Sequence, residues 1–419
     1  MNKKIEGFLD EVCMHINCKT VHKDIREELC VHINELKEEN INRGYDEERA
    51  IDLAISAMGS TDEIGTRLNQ QHRPQTEWSL LILTGIISII GAVIMFSSSK
   101  LVDGPGVDFS RYIVFSAIGM GTMIALYFFD YTKFKKIPML IYISGVLLIL
   151  VTMGMGIQVN GVKRWLRIGH FAISTPEFAS LLFVIAFAGF LEKYSGKGAV
   201  NILKLAVQGI FSVILLLLMP SLSTAFVMVI LYGVVLIAAI LRNHFTGNKK
   251  VQLMSLFAGG ALPILLFIYR VITDPYKLKR FTVYFSKGKA DPLGVGYQQH
   301  MADTWLSISK WFGKTEATYN GYGLDMTLPN ATGEYILVNI IATLGWAVGI
   351  LLILLIGIFI VRMFMTTNKI KNRYGFYLSM SACTILSTQF VISILINFNL
   401  FPLTAVNMPF VSYSGTGYV

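Results

Sequence analysis

From Trp78 onward the chain is a succession of apolar runs, most of them about long enough to cross a bilayer. That pattern constrains the fold more than any other feature. A transmembrane helix needs roughly 20 mainly apolar residues. In hydrocarbon every backbone polar group must find its partner inside the protein, which makes such runs helical. The runs predict spans near 79–98, 111–129, 137–157, 177–191, 203–219, 223–241, 252–272, 334–362 and 375–397. Pro220 and the SLST after it split the apolar stretch from 203 to 241 in two. Ser412–Val419 reads as the opening of a tenth helix. Composition agrees: 15% of residues are charged and 53% are hydrophobic, where a soluble domain averages about a quarter charged. The expected fold class is all-α, a polytopic helical membrane protein of nine spans plus the start of a tenth, behind a small soluble helical domain.

Charge sets the expected orientation. Short loops rich in Lys and Arg stay in the cytoplasm. One set of loops carries Lys133, Lys135 and Lys136; Lys193 and Lys197; Arg242, Lys249 and Lys250; and Arg362, Lys369, Lys371 and Arg373. All fall on the side of the N-terminus. The formal net charge of +9 therefore implies cytoplasmic loops, and no nucleic acid. The segments 99–110, 158–176, 220–222, 273–333 and 398–408 are expected outside. The 273–333 segment is too long and too aromatic for a plain connection.

Residues 1–75 read as a cytoplasmic helical domain, with helices at about 3–18 and 22–43 and a third on DEERAIDLAISAM. Gly44 and Gly59 punctuate them. Ile25, Leu29, Ile33 and Leu36 form the apolar stripe of the second. Through EELCVHI and AISAMGSTDEI this part resembles the prefix domain found before some bacterial permeases. Cys13, Cys18 and Cys30 lie here, in a reducing compartment, so no disulfide framework is expected. Cys18 and His22 are one helical turn apart, but the Cys/His spacing matches no common zinc finger, and no metal is assigned. The charged N-terminus carries no cleavable signal, and the first apolar run is expected to serve as one.

The stretch KADPLGVGYQQH, residues 289–300, stands out within the long outer segment. An Asp-Pro pair in a loop is usually a turn starter. Here Asp291 is followed by two glycines that let backbone approach a bulky ligand. Three further outer segments line up with it: NGVKRWLRIGHFAISTPEF at 160–178, PSLSTA at 220–225, and NMPFVSYSGTG at 407–417, with LPNATGEY at 328–335 beside them. Together they resemble the SEDS (shape, elongation, division and sporulation; RodA/FtsW-like) family over residues 78–419. The resemblance implies a peptidoglycan glycosyltransferase that polymerises lipid II. It implies Asp291 as the catalytic carboxylate and Arg164, Lys163, Glu177, Gln298, Thr224, Ser412 and Tyr413 as substrate-binding residues. It also implies a single-span transpeptidase, a penicillin-binding protein, as partner, beside membrane lipids. The residue types suit the chemistry: glycosyl transfer needs a base for the acceptor hydroxyl, and a guanidinium grips a phosphate bidentately. No cofactor is identified; a divalent cation at the pyrophosphate is left open.

Several positions depart from the family pattern. Ser180 stands where the family has a Lys, and Ser221, Asn330, Ala342 and Thr343 stand where it has acids. Because an orphaned charge in a cavity is costly, losses this numerous imply a polar network that has been relaxed or rebuilt as a whole. Two other functions fit the same architecture: a flippase for a lipid-linked sugar, and a non-catalytic scaffold of cell-wall synthesis. A flippase needs polar groups through the midplane, and these spans hold few charges.

Overall fold

The computed structural model describes residues 2–16, 22–72, 77–99, 109–159, 162–168, 171–198, 200–275, 278–279, 283–284, 291, 294–316, 323–402 and 404–413. Two compact units emerge, Met1–Trp78 and Ser79–Val419.

The first unit holds four helices: α1 (Lys3–Met14), α2 (His22–Asn42), α3 (Glu47–Met58) and α4 (Thr61–His72). Asn2 caps α1 by accepting from the Lys4 N–H at 3.0 Å, and Asp46 caps α3 in the same way. Gly59, at φ +97°, ends α3, because that conformation suits glycine alone. Ile5, Leu9, Val12, Ile33 and Ile51 are buried in its core. The expected stripe holds: Ile25 and Ile33 are buried, with Leu29 and Leu36 packed against them. Two details differ. α1 stops at Met14, with residues 17–21, Cys18 among them, outside the described part. The fourth helix was not foreseen, since TDEIGTRLNQQH is mostly polar.

The second unit is built from long apolar helices. Seven follow in order: α5 (Trp78–Ser99), α6 (Phe109–Tyr127), α7 (Pro138–Met155), α8 (Thr175–Tyr194), α9 (Val200–Leu218), α10 (Leu222–Leu241) and α11 (Lys249–Ile272). The long segment 273–333 then contributes α12 (Tyr297–Ile308) and α13 (Leu324–Thr327), and α14 (Ile336–Leu344), α15 (Trp346–Lys369) and α16 (Arg373–Asn397) complete the helices of the described residues. Among the described residues, eight helices are long and apolar enough to cross a membrane: α5 to α10, α15 and α16. α11 occupies the position of the expected seventh span. α8 runs 20 residues, longer than expected, because Thr175 and Pro176 begin it on the helix-compatible φ of proline.

The structure departs from the sequence reading at two places. The expected outer loop 158–176 is an antiparallel sheet, β1 (Ile157–Val159), β2 (Val162–Ile168) and β3 (Phe171–Ser174), in the order β1-β2-β3. The expected single span 334–362 is broken at Gly345, φ +98°. The freed backbone groups are taken up by the extended segment after α12: Gly313 N–H donates to Leu344 O at 3.1 Å, and Trp346 N–H to Lys310 O at 3.1 Å. A side chain at Gly345 would collide with the backbone of Trp311 and Phe312. Of the expected start of a tenth helix, Ser412–Val419, Ser412 and Tyr413 are irregular backbone and 414–419 lie outside the described residues.

One buried amide organises one end of this unit. The Asn397 side chain accepts from Val338 N–H at 3.0 Å and donates to Glu334 O at 2.8 Å. It thereby satisfies α14's first turn from the end of α16.

Candidate active site

Arg164 sits in β2, whose Trp165 pairs with Ser174 of β3. Ser174 leads directly into α8, so the strand pairing sets the arginine beside the helix's first turn. The head of α8 is anchored below, where the hydroxyls of Thr152 and Thr175 lie 2.9 Å apart. The Arg164 guanidinium is half-buried, its carbon 4.3 Å from the centre of the Trp165 ring. Its Nε is buried with no hydrogen-bond partner among the described residues. Burial pulls its proton affinity down, and the carboxylates of Glu177 and Glu334 resist this. The charges of two acids from segments far apart in the chain thus act on one cation. Lys163 and Arg167, also of β2, are exposed, as strand alternation requires of Arg164's neighbours.

Glu177 is also a wall of a cavity of about 350 Å³. The first two turns of α8 supply Glu177 and Ser180, and the first turn of α10 Ser223 and Thr224; α16 supplies Gln389; the segment after it supplies Asn407 and Ser412. Three of the expected residues, Glu177, Thr224 and Ser412, therefore converge. Gln389, Asn407 and Ser223 were not among the expected site residues. Gln389 had a readable signal, a lone amide inside an apolar run. Ser412 also ties the chain end together: its hydroxyl donates to Gly333 O at 2.8 Å and accepts from Met408 N–H at 2.9 Å. Tyr413 stacks on Tyr112, ring centres 6.4 Å apart, and its N–H bonds to Thr332 O. Both residues thus pack the chain end.

Three of the polar positions that depart from the family pattern, Ser180, Ser221 and Thr343, find hydrogen-bond partners within the chain. Ser180 donates to Glu177 O at 2.7 Å, and Ser221 to the Thr224 hydroxyl at 2.9 Å. Ala342 is buried among apolar side chains, and the Thr343 hydroxyl bonds to Asn339 O.

Asp291 heads the turn into α12. Its backbone carbonyl accepts from Gly296 N–H at 3.0 Å. Its carboxylate is 28% exposed, pairs with Lys279 at 2.9 Å and receives the Val295 N–H at 3.4 Å. The lysine above all, and then the backbone donor, hold its pKa below the usual carboxylate range. Gly294 is needed here for space: a Cβ on it would overlap the Asp291 carboxylate. Pro292, expected to hold the acid in place, lies outside the described residues. Asp291 is not among the residues lining the cavity, but its helix rests on one of the cavity walls. Met301, Ala302 and Trp305 of α12 are buried in one cluster with Val227 and Val406, against which Ile385 packs. Val227, Ile385 and Val406 line the cavity. Gln298, in α12's first turn, is half-buried.

Comparison with known proteins follows the same outline. The FtsW/RodA/SpoVE family model, described as "Cell cycle protein", matches residues 72–419. The chain is 27% identical over 358 residues to stage V sporulation protein E of Bacillus subtilis, covering 80% of this chain and 91% of that one. It is 26% identical over 351 residues to a probable peptidoglycan glycosyltransferase FtsW of Haemophilus influenzae, covering 81% and 84%. Its fold is similar to a chain in the structure of a peptidoglycan synthase complex, with TM-score 0.64 at 20% identity over 82% of this chain and 93% of that one. It is similar also to Thermus thermophilus RodA, with TM-score 0.52 at 20% identity over 82% and 92%. A match running through every apolar helix, with the same fold beneath it, makes this multi-pass bacterial membrane protein a member of the SEDS family.

Proposed function

We propose that this chain is a peptidoglycan glycosyltransferase that polymerises lipid II at the outer face of the cytoplasmic membrane. The N-terminus lies in the cytoplasm, and residues 1–75 form a separate helical domain before the catalytic membrane domain, 76–419. The observation that carries this reading is a carboxylate held ionised at the head of α12, a helix packed on the wall of a polar-mouthed cavity.

In this mechanism Asp291 takes the proton from the 4-hydroxyl of the acceptor N-acetylglucosamine. That oxygen attacks the anomeric carbon of the donor N-acetylmuramic acid. The bond from this carbon to the pyrophosphate oxygen breaks, and undecaprenyl pyrophosphate leaves with the electron pair. Arg164 meets the phosphates, and Glu177 with Glu334 keeps its guanidinium aimed. A carboxylate paired with lysine is a weak base at rest. Covering by the acceptor sugar strips water from the pair and raises its proton affinity as the hydroxyl arrives.

Likeness to a chain from a peptidoglycan synthase complex supports a single-span penicillin-binding protein as partner, whose transpeptidase crosslinks the new strand. The test is polymerisation of lipid II by the purified chain, alone and with such a partner, read as glycan strands on a gel. Asp291→Asn abolishes the product in both settings. Strands made at the wild-type rate by Asp291→Asn would remove Asp291 from the mechanism.

A further inference from the structure

A second cavity, of about 210 Å³, lies between α9, α10 and α11 and shares no lining residue with the first. Gly209, Tyr232, Gly233, Phe257, Gly260 and Ile264 are among its walls. Among the described residues, Tyr232 is its only lining side chain with a polar atom, and that hydroxyl is bonded to Ser212 at 2.6 Å. Such a space offers water no partner and stays dry unless an apolar ligand fills it. Gly233 and Gly260 open it: a Cβ on either would meet nothing within 4 Å.

The end of this groove is basic. Lys249 and Lys250 precede the lining residues Leu256 and Phe257 by seven positions each, which places them on the same stripe of α11. Both lysines are exposed. The loop before α11 is tied to the loop before α9, Thr246 N–H donating to Lys197 O at 3.1 Å and Gly196 N–H to His244 O at 2.7 Å. The two loops form one surface carrying Lys197, Lys249 and Lys250. No Asp or Glu occurs between Lys193 and Thr273, so no acid from this stretch neutralises it. From Lys250 to Gly260 the helix rises about 15 Å, half of a hydrocarbon core about 30 Å thick. The groove's α11 lining, Leu256 to Ile264, thus lies about 9–21 Å along the helix from Lys250, within reach of an acyl chain whose headgroup sits at the lysines.

We propose that this is a site for an anionic phospholipid of the leaflet facing the α9 and α11 loops. One acyl chain fills the groove between α9, α10 and α11, and the phosphate rests on Lys249 and Lys250. A lysine at a membrane surface is worth about a fivefold gain in affinity for anionic lipid, so the pair contributes roughly 25-fold.

Native mass spectrometry of the full chain, released from nanodiscs of equal phosphatidylglycerol and phosphatidylcholine, tests this. The wild type retains phosphatidylglycerol in preference. The double change Lys249→Ala, Lys250→Ala brings the two lipids to near parity. Gly260→Leu on α11, or Gly233→Leu on α10, fills the groove and removes the retained lipid of either kind. Equal retention of the two lipids by the wild type overturns the headgroup assignment. Undiminished phosphatidylglycerol in both groove-filling variants overturns the groove. The readout is independent of glycan synthesis.

Discussion

Replacing Gly294 with alanine tests whether Asp291 geometry governs the reaction. An ideal Cβ at position 294 would stand 2.6 Å from Asp291 Oδ2 and 2.7 Å from its Cγ. Asp291 Oδ1 would stand closer still; ordinary contact begins at about 3.4 Å, so the carboxylate must retreat by about 1 Å. The atoms that give way are the end of a partly exposed side chain, so folding survives and the melting temperature stays within a few degrees. The carboxylate itself leaves the Val295 N–H and its present approach to Lys279. A misplacement of about 1 Å at a reacting group costs on the order of 100-fold in rate, equivalent to about 2.7 kcal/mol in the barrier. The assay is the initial rate of lipid II polymerisation at saturating substrate, with Gly323→Ala as control, since a Cβ there meets nothing within 4 Å. A Gly294→Ala protein that polymerises as fast as the control would refute the reasoning, because the acid would then work from a displaced position.

Further outcomes follow from the same geometry. Lys279 is the first cause of Asp291's lowered pKa, and the base must be ionised, so activity persists as pH falls through the normal Asp range. Lys279→Met raises that pKa and moves the acid limb of the kcat/KM profile to higher pH; an unmoved limb refutes the pairing. Arg164→Lys keeps the charge but loses the planar fork, and kcat/KM for lipid II falls at least tenfold; a wild-type value removes Arg164 from phosphate recognition. Gly345→Ala forces a left-handed conformation, costing about 1–2 kcal/mol, and drives a methyl into the backbone of Trp311 and Phe312. Its melting temperature in detergent drops by several degrees, and an unchanged one contradicts the tight packing at that break.

Much of the membrane architecture was legible because the bilayer imposes a single length on each span. Pro138 and Pro176 open α7 and α8, and both helices were readable from hydropathy. The sheet was not, because β1 and β3 are only three and four residues long and β2 carries charges that suit a loop equally well. The break at Gly345 was hidden inside one apolar run; only the segment after α12, which completes its hydrogen bonds, makes it tolerable. In the candidate site, local motifs pointed to Asp291, Arg164 and Glu177. Nothing local pairs Asp291 with Lys279, or sets Glu334 beside Arg164.

The amino-acid order alone settled which segments enter the membrane, since hydrocarbon tolerates only long apolar stretches with self-contained hydrogen bonding. It did not settle which of those helices face lipid and which face one another. α6 buries no residue, whereas most of α8 is enclosed, yet both read simply as apolar. Lipid tails are as apolar as a protein interior, so periodicity carries no signal for that choice. Close packing and a few converging polar groups make it, and they place the cavity where α8, α10 and α16 meet.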